Sequence, residues 1–478
     1  MFNFLPHTPE DRLAMLADLG LPNDEALFDD IPASIRQQAK TAVYQSFPQK
    51  GLSEPELLES VKALVRKNQA PQLASFLGGG AYHRFIPSAV NTIAGRSEFY
   101  TAYTPYQPEM SQGTLQVGFE FQTMIAELAG MDVANASVYD GATALAEAGM
   151  MALRIKKVNR LIVARSVNPQ YRQVIDTYMQ GFGGITVETV DLTSSLDGLT
   201  AALATPAAAV LVQSPNYFGG IEDLAAIATA CQTAKALFVV SADPIALGAL
   251  KRPGQYGADI VVGDIQPLGN ALAFGGPYGG FMATKTAYMR QLPGRLVGKT
   301  TDKTGRPCYT LTLQTREQHI RRAKATSNIC TNQALNVLKA TVYMALVGPV
   351  GLRELATVSG ERAHWLAEQL TAFPGVTLNQ PNTPFLSEFS VTFPKPVTGP
   401  EGLLEALKRS DILGGIPLAA DYPEYANSLL ISVTEMTTPE HLQRYVDTVS
   451  AWLNGTTLAV SNGRCQVADS PVLSACSV

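Results

Sequence analysis

Asp243 and the glycine-rich loop beyond it have the residue types and the spacing that are most typical of a catalytic site in this chain. Asp243 follows the apolar residues 236–240, a pattern that predicts a buried parallel strand, and such strands present ligands at their carboxyl ends. The apolar run 259–264 then leads to the glycine turn 275–280. An acid in this position keeps the pyridinium nitrogen of pyridoxal phosphate protonated, so that the ring acts as an electron sink. The pattern therefore indicates the cofactor strand of a pyridoxal-phosphate enzyme.

The lysine that this chemistry requires is missing. An active enzyme of this kind holds the cofactor aldehyde as a Schiff base on a lysine, expected in or near residues 266–269. Gln266 begins that segment, and no lysine lies between Lys251 and Lys285. Lys251 itself belongs to a Lys-Arg-Pro-Gly sequence typical of an exposed turn. We therefore expect that this chain holds no cofactor covalently, and that Asp243 and Gln266 mark a vestigial site.

A helix start at Asp140 is the second candidate part of that site. Gly141 and Thr143 follow the aspartate at the beginning of a predicted helix that continues through Met151. Free backbone N–H groups and the helix dipole favour an anion there, so the segment suits the phosphate of a cofactor. An ordinary capped helix is the alternative, and an empty site remains open.

Three tyrosines form a cluster that suits a pocket wall. Tyr100, Tyr103 and Tyr106 are spaced by threes, and Pro105 interrupts any helix between them. This spacing predicts a loop whose hydroxyl groups reach a polar pocket, whereas a buried aromatic patch is the alternative.

Cations concentrate between residues 287 and 325, and three residues there are pocket candidates: Arg316, His319 and Arg321. The full set of cations is Arg290, Arg295, Arg316, Arg321, Arg322 and Lys324. Arginines bind carboxylates or phosphates in a bidentate manner, and a histidine can relay a proton among them. The alternative is that these cations pair with acids at a subunit interface or on a solvated helix. His83, after the turn at residues 78–80, is a further pocket candidate without an assigned role.

Alternating helices and apolar strands predict the elements that position these residues. Apolar runs at residues 161–164, 210–212 and 237–240 alternate with helical stretches, which is typical of a mainly parallel sheet covered by helices. We expect an α/β large domain over residues 69–335, of the aminotransferase-like (type I) pyridoxal-phosphate fold. A smaller α+β domain follows over residues 336–453, with a helix at 352–373, an alternating half-buried strand at 388–393 and a strand at 428–433.

The two ends of the chain are predicted to lie outside these domains. Helix caps at Thr8 and Ser53 predict a helical arm over residues 1–68, which either wraps a partner subunit or covers the core of its own chain. Residues 454–478 are rich in small and polar residues, so we expect a flexible tail.

Composition narrows the class of protein. The chain has 478 residues, 46% of them hydrophobic, and a formal net charge of −5 without a block of like charge. These values favour neither nucleic acid nor an anionic membrane as a partner. The five cysteines form no Cys-x-x-Cys pair, which argues against a metal site of that type. No membrane span and no targeting segment are evident, so we expect a cytoplasmic protein.

Four segments give the pattern a more specific meaning. They are residues 97–109 (SEFYTAYTPYQPE), 139–144 (YDGATA), 313–322 (LQTREQHIRR) and 324–335 (KATSNICTNQAL). In this order they resemble the P-protein family of the glycine cleavage system, and in particular subunit 1 of the two-subunit glycine dehydrogenase (decarboxylating). The resemblance extends from Phe4 to about Leu453. In that family subunit 2 carries the cofactor lysine, so Gln266 fits a family trait.

The resemblance implies a shared enzyme. A heterotetramer with two copies of each subunit would bind pyridoxal phosphate in subunit 2, decarboxylate glycine and pass the aminomethyl group to the lipoyl H-protein. The tyrosine cluster, Arg316, His319 and Arg321 would then contribute to the pocket of the partner subunit. Two alternatives stay open: a catalytically silent regulatory or small-anion-binding protein with a degenerate pocket, and a free-standing pyridoxal-phosphate enzyme, against which the missing lysine argues.

Overall fold

The computed structural model describes residues 7–41, 51–192, 195–330 and 332–456. The chain divides into two compact units, Met1–Gln72 and Leu73–Val478. Most of the predicted tail, from residue 457 onward, lies outside the described residues. The predicted division into a large domain over residues 69–335 and a small domain over residues 336–453 stays a prediction.

Among its described residues, the first unit contains three α-helices, α1 (Pro9–Asp18), α2 (Ala33–Thr41) and α3 (Glu54–Val65). The side chain of Thr8 accepts a hydrogen bond from the amide of Asp11, and the carboxylate of Asp11 accepts one from the amide of Thr8. Ser53 precedes α3 in a similar capping box. Both helices therefore begin where their caps predict.

The second unit contains eleven helices and fifteen strands among its described residues. The helices are α4 (Ser88–Ala94), α5 (Ser97–Tyr100), α6 (Gln112–Ala129), α7 (Gly141–Lys156), α8 (Pro169–Gln180), α9 (Asp197–Leu203), α10 (Leu224–Ala234), α11 (Gln318–Arg321), α12 (Ala334–Thr371), α13 (Leu403–Arg409) and α14 (Pro439–Leu453). The strands are β1 (Ala74–Ser75), β2 (Val133–Ala134), β3 (Arg160–Ala164), β4 (Thr186–Val190), β5 (Ala209–Gln213), β6 (Leu237–Ser241), β7 (Ile260–Asp264), β8 (Gly280–Thr284), β9 (Leu296–Thr301), β10 (Pro307–Thr312), β11 (Thr377–Leu378), β12 (Glu388–Thr392), β13 (Ile412–Leu413), β14 (Ile416–Pro417) and β15 (Ser428–Ser432).

The main sheet has seven strands in the order β2-β8-β7-β6-β5-β3-β4. The five strands from β7 to β4 are mutually parallel, while β8 pairs antiparallel with both β7 and β2. All residues of β6 and β7 are buried, because helices cover both faces of a parallel sheet. The predicted mainly parallel α/β architecture is confirmed.

The smaller sheet is antiparallel, in the order β11-β12-β15-β14. A separate apolar core lies beneath it and includes Phe389, Ile431, Leu407 and Tyr445. The predicted half-burial of β12 is wrong, because Glu388 and Ser390 are buried as well as their apolar neighbours.

Helix α12 begins earlier than the predicted residue 352. It extends from Ala334 to Thr371 and is interrupted only at Gly348, where φ is 60° and ψ is −175°. Contrary to the sequence reading, α12 is long and apolar enough to cross a membrane by length and composition. Its residues Val337 and Leu366 nevertheless pack into the two apolar cores.

Candidate functional site

Asp243 lies beyond the carboxyl end of β6, at the edge of the main sheet where parallel strands present ligands. Its carboxylate accepts a hydrogen bond from the amide of Ile245 at 3.0 Å. Burial raises the pKa of Asp243, and the nearby Arg84 guanidinium opposes this rise. The strand therefore delivers an acid to the expected place.

Both polar atoms of the Gln266 side chain form hydrogen bonds with the backbone. Its Oε1 accepts from the amide of Tyr82 at 2.8 Å, and its Nε2 donates to the carbonyls of Tyr82 at 3.0 Å and Asn270 at 2.8 Å. The side chain is only 2% exposed. In the segment where we expect the cofactor lysine of an active enzyme, this chain therefore has an amide that binds its own backbone.

Residues 76–85, which we call the covering segment, lie over this edge of the sheet. Glu388 accepts hydrogen bonds from the amide of Gly79 at 2.8 Å and from the hydroxyl of Tyr82 at 2.9 Å. Arg84 donates to Glu435 at 2.6 Å, so the segment is also tied beyond β15. The covering segment is thus held by the main sheet and by the smaller sheet together.

The predicted phosphate cradle is occupied by carboxylates. The amide of Gly141 donates to Asp264 at 2.9 Å, and the amide of Thr143 donates to Asp140 at 2.7 Å. A Cβ atom at Gly141 would lie 2.5 Å from the hydroxyl of Tyr171, so a phenol also closes this helix start. Two N–H groups that would bind a phosphate are therefore already satisfied by anions of the chain itself.

The space that remains at the vestigial site does not fit pyridoxal phosphate. Its volume is about 40 Å³, whereas ligand pockets are typically about 300 to 1,000 Å³. The lining includes Tyr82, Tyr171 and the carboxyl groups of Asp243, Asp264 and Glu388. Burial raises the pKa of Asp264 to about 7 and that of Glu388 to about 7, in each case against hydrogen bonds that favour the charged form. An acidic, filled site without a lysine has neither the room nor the charge for this cofactor.

The tyrosine cluster lies on the surface of the second unit. Tyr100 ends α5, and the loop of residues 101–107 carries the other two rings. Tyr100, Tyr103 and Tyr106 are 58%, 81% and 52% exposed, so these rings are not the buried aromatic patch of the alternative interpretation.

Tyr106 connects the tyrosine cluster to the cationic segment. Arg295 donates to the Tyr106 hydroxyl at 3.2 Å, and the rings of Tyr106 and His319 are arranged edge to face with 6.3 Å between their centroids. Glu317 lies next to both residues, 3.6 Å from His319 Nδ1 and 4.0 Å from Arg295 Nε. The structure therefore brings two predicted residues, Tyr106 and His319, into one cluster with Arg295 and Glu317.

Arg316 and Arg321 make contacts of a different kind. Arg316 is buried and donates to the carbonyls of Leu313, Leu292 and Gly294, the last at 3.0 Å. Desolvation lowers its pKa. Arg321 is exposed and donates to the carbonyl of Thr315 at 3.0 Å. Arg316 thus holds the turn before β9, next to the cluster.

Three residues of the vestigial site were not predicted from the sequence as site residues: Arg84, Asp264 and Glu388. Asp264 ends β7 as Asp243 follows β6, so the adjacent ends of these parallel strands could have identified it. Glu388 offers no comparable local signal, since an alternating strand pattern predicts that its polar residues face solvent.

Comparisons with known proteins show which protein family this chain matches. Residues 2–449 match the family model of the glycine cleavage system P-protein. The chain is 50% identical over 436 residues to a probable glycine dehydrogenase (decarboxylating) subunit 1 of Desulforamulus reducens, covering 90% of this chain and 96% of that protein. It is 45% identical over 464 residues to the protein of the same name from Geobacillus thermodenitrificans, covering 94% and 98% of the two chains.

Solved structures give the same fold. A crystal structure of a glycine decarboxylase (P-protein) of the glycine cleavage system, in inhibitor-bound form, superposes with a TM-score of 0.79 at 44% identity, covering 94% of this chain and all of that one. A sphingosine-1-phosphate lyase of Burkholderia pseudomallei superposes with a TM-score of 0.61 at 13% identity, covering 87% and 94% of the two chains, which supports the fold alone. The fold is that of the type I pyridoxal-phosphate enzymes.

Proposed function

Because the chain belongs to the glycine cleavage system P-protein family, we propose that it acts as the lysine-lacking subunit 1 of a glycine decarboxylase. The observation that carries this proposal is the filled vestigial site, in which Gln266 and Glu388 bind the covering segment. A chain of this family that cannot hold the cofactor needs a partner that does. Pyridoxal phosphate would therefore be bound by the lysine of subunit 2, with glycine as the substrate of the complex.

The exposed tyrosine cluster supports a contribution to the partner's pocket. Tyr100 at the end of α5 and Tyr103 on the following loop are exposed, and Tyr106 of the same loop lies in one cluster with His319 and Arg295. We assign Tyr100 and Tyr103 to direct contacts with the partner's site. Arg316 would act through the turn that it holds, and Arg321 at the edge of the same face.

The assembly and its location complete the proposal. We expect a cytoplasmic heterotetramer with two copies of each subunit, which transfers the aminomethyl group of glycine to the lipoyl H-protein. The alternative of a silent small-anion-binding protein is disfavoured, because the cavity is lined by Asp243, Asp264 and Glu388.

A reconstitution experiment tests the proposal. The chain is purified alone and together with its candidate partner, and both preparations are assayed for absorbance of bound pyridoxal phosphate and for glycine-dependent exchange of labelled bicarbonate. We expect exchange only in the mixture. Bound cofactor in the isolated chain would overturn the proposal, and exchange by the partner that does not depend on this chain would favour the silent binding protein.

A further inference from the structure

Arg295 lies where the turn of residues 292–294 enters β9. Its backbone is fixed, because the Arg295 carbonyl accepts from the amide of Ala136 at 2.9 Å and Arg316 holds the carbonyl of the preceding Gly294. Gly294 has a φ of +79°, a conformation that glycine adopts at little cost. Arg295 itself is 6% exposed. The turn therefore presents this guanidinium from a rigid base.

The guanidinium joins three separate segments of the chain. It donates to the hydroxyl of Tyr106 at 3.2 Å, in the loop of residues 101–107, which we call the tyrosine loop. It also donates to the carbonyl of Cys330, shortly before α12, at 2.8 Å. The guanidinium carbon also lies 5.4 Å from the centroid of the Tyr106 ring, within the range of a cation–π contact. Its Nε is 4.0 Å from a carboxylate oxygen of Glu317. A planar group with five donors is suited to such a junction, and a lysine is not.

Two small cavities adjoin Arg295. One is about 10 Å³ in volume and is lined by Arg316, Ser327 and Asn332 among others. The other is about 70 Å³ and is lined by Tyr100 and Leu338 among others. Arg295 belongs to both linings, so its side chain lies between the two cavities.

The tyrosine loop depends on contacts outside itself. The backbone hydrogen bonds of residues 101–106 are local, from Thr101 to Ser97, from Ala102 to Phe99 and from Tyr106 to Thr104. Such bonds shape the loop but do not attach it to the rest of the fold. The bond from Arg295 to Tyr106 joins residues 189 positions apart and provides that attachment.

We propose that Arg295 is a positioning residue, which fixes Tyr106 and thereby the exposed Tyr103 for contact with the partner's site. This inference rests on the proposed function, because only a shared active site gives the position of the loop a role in turnover. It assigns no contact between Arg295 and the substrate.

A double-mutant cycle in the complex tests the coupling. We expect Arg295→Lys and Tyr106→Phe each to lower kcat roughly 10-fold, the size expected for one hydrogen bond to a charged group, with a smaller change in KM for glycine. The double variant should lose little more than either single variant, because both changes remove the same bond. Arg290→Lys, an exposed cation before the same turn, is the matched control and should leave kcat unchanged.

Limited proteolysis of the isolated full chain tests the same bond without any activity. Chymotrypsin cleaves after exposed aromatic residues, and Tyr103 is 81% exposed. Arg295→Lys should speed cleavage after Tyr103 several-fold relative to the wild type and to Arg290→Lys.

The two experiments separate the two ideas. A wild-type mixture without exchange would defeat the proposed function, while the cleavage rates would still decide whether Arg295 holds the loop. Unchanged cleavage, or losses of kcat that multiply in the double variant, would overturn the assignment of Arg295. A lower thermal stability of Arg295→Lys with a normal kcat in the assembled complex would identify a merely structural residue and overturn it as well.

Discussion

Glu388 shows how one residue of the vestigial site links folding to pH. It is buried, its carboxylate accepts from Gly79 and Tyr82, and desolvation still raises its pKa from 4.5 to about 7. An acid whose pKa is raised on folding binds its proton more tightly in the folded chain than in the unfolded chain. Its contribution to stability is fully present below the pKa of the unfolded chain, and it is lost as the pH rises through the pKa of the folded chain.

Replacement of Glu388 by glutamine should flatten this pH dependence. Between pH 5 and pH 8 the free energy of unfolding of the wild type should fall by roughly 2 to 3 kcal/mol more than that of Glu388→Gln, since each pKa unit corresponds to about 1.4 kcal/mol. Chemical denaturation at a series of pH values measures the difference. Glu401→Gln, an exposed carboxylate in the same unit, is the control. Parallel curves for wild type and Glu388→Gln would contradict the assigned pKa.

The hydroxyl groups of Tyr100 and Tyr103 should matter for turnover rather than for folding. Both rings are more than half exposed in the chain, so replacement by phenylalanine removes a polar group that packing does not need. In the reconstituted complex each variant should lower the rate of bicarbonate exchange about 10-fold or more, while assembly and thermal stability stay those of the wild type. Tyr256→Phe, a ring beside Lys251, is the control. Full turnover by both variants would show that these tyrosine hydroxyl groups do not contribute to the proposed shared site.

At the scale of elements, the covering segment fills the site that we propose to be vestigial. Gln266 recognises both the N–H and the C=O of Tyr82, as a neighbouring strand would. Glu388 and Glu435 hold the same segment from the smaller sheet and from the turn after it. These contacts join the two sheets at the place where an active homologue would have a ligand.

Restoring a lysine alone should therefore not restore cofactor binding. In Gln266→Lys the ammonium cannot accept from the Tyr82 amide, and a buried unpaired donor costs about 1 to 3 kcal/mol. We expect a loss of stability of that order, and no absorbance of bound pyridoxal phosphate after incubation with the cofactor and gel filtration. The wild type treated in the same way is the control for reaction at surface lysines. A new cofactor band confined to the variant would show that the covering segment does not close the site.

The interruption of α12 is a second feature at this scale. Gly348 has φ 60° and ψ −175°, a region essentially restricted to glycine. Gly348→Ala should lower the free energy of unfolding by about 1 to 3 kcal/mol. Gly113→Ala is the matched control, because this glycine lies in α6 with nothing within 4 Å of an added Cβ, and alanine should be neutral or stabilising there. Equal effects of the two substitutions in urea denaturation would contradict the assigned backbone conformation.

The sequence predicts an element well where the interactions that form it are local in the chain, and poorly where they are distant. Continuous apolar runs predict β6 and β7 correctly because a buried parallel strand needs no other signal. The start of α12 was misplaced because Gly348-Pro349 is typical of a helix end, although here the helix resumes beyond it. The covering segment could not be predicted to fill the vestigial site, because its contacts are distant in sequence. Tyr82 contacts Gln266, which is 184 positions away, and Glu388, which is 306 positions away.

At the scale of the whole molecule, the first unit has an exposed apolar surface on helix α3. Helix α3 has no buried residue, yet one of its faces is apolar at a helical spacing. The residues of that face are Leu57, Leu58, Val61, Leu64 and Val65, and each is at least 46% exposed. Apolar residues gathered on one exposed face are typical of an interaction surface. We expect the helical arm to wrap a partner subunit with this face, which is one of the two roles considered for the arm.

Charge placed on this face should therefore weaken assembly more than folding. We expect Leu58→Glu and Leu64→Glu each to raise the dissociation constant of the two-subunit complex about 10-fold or more, because an interface core excludes an unpaired charge. The thermal stability of the isolated chain should change little. Glu59→Gln, in the exposed pair with Lys62 on the same helix, is the matched control and should leave assembly unchanged. Analytical ultracentrifugation of the mixture measures the constant, and a lower stability of the isolated variants with normal assembly would instead place the arm over the core of its own chain.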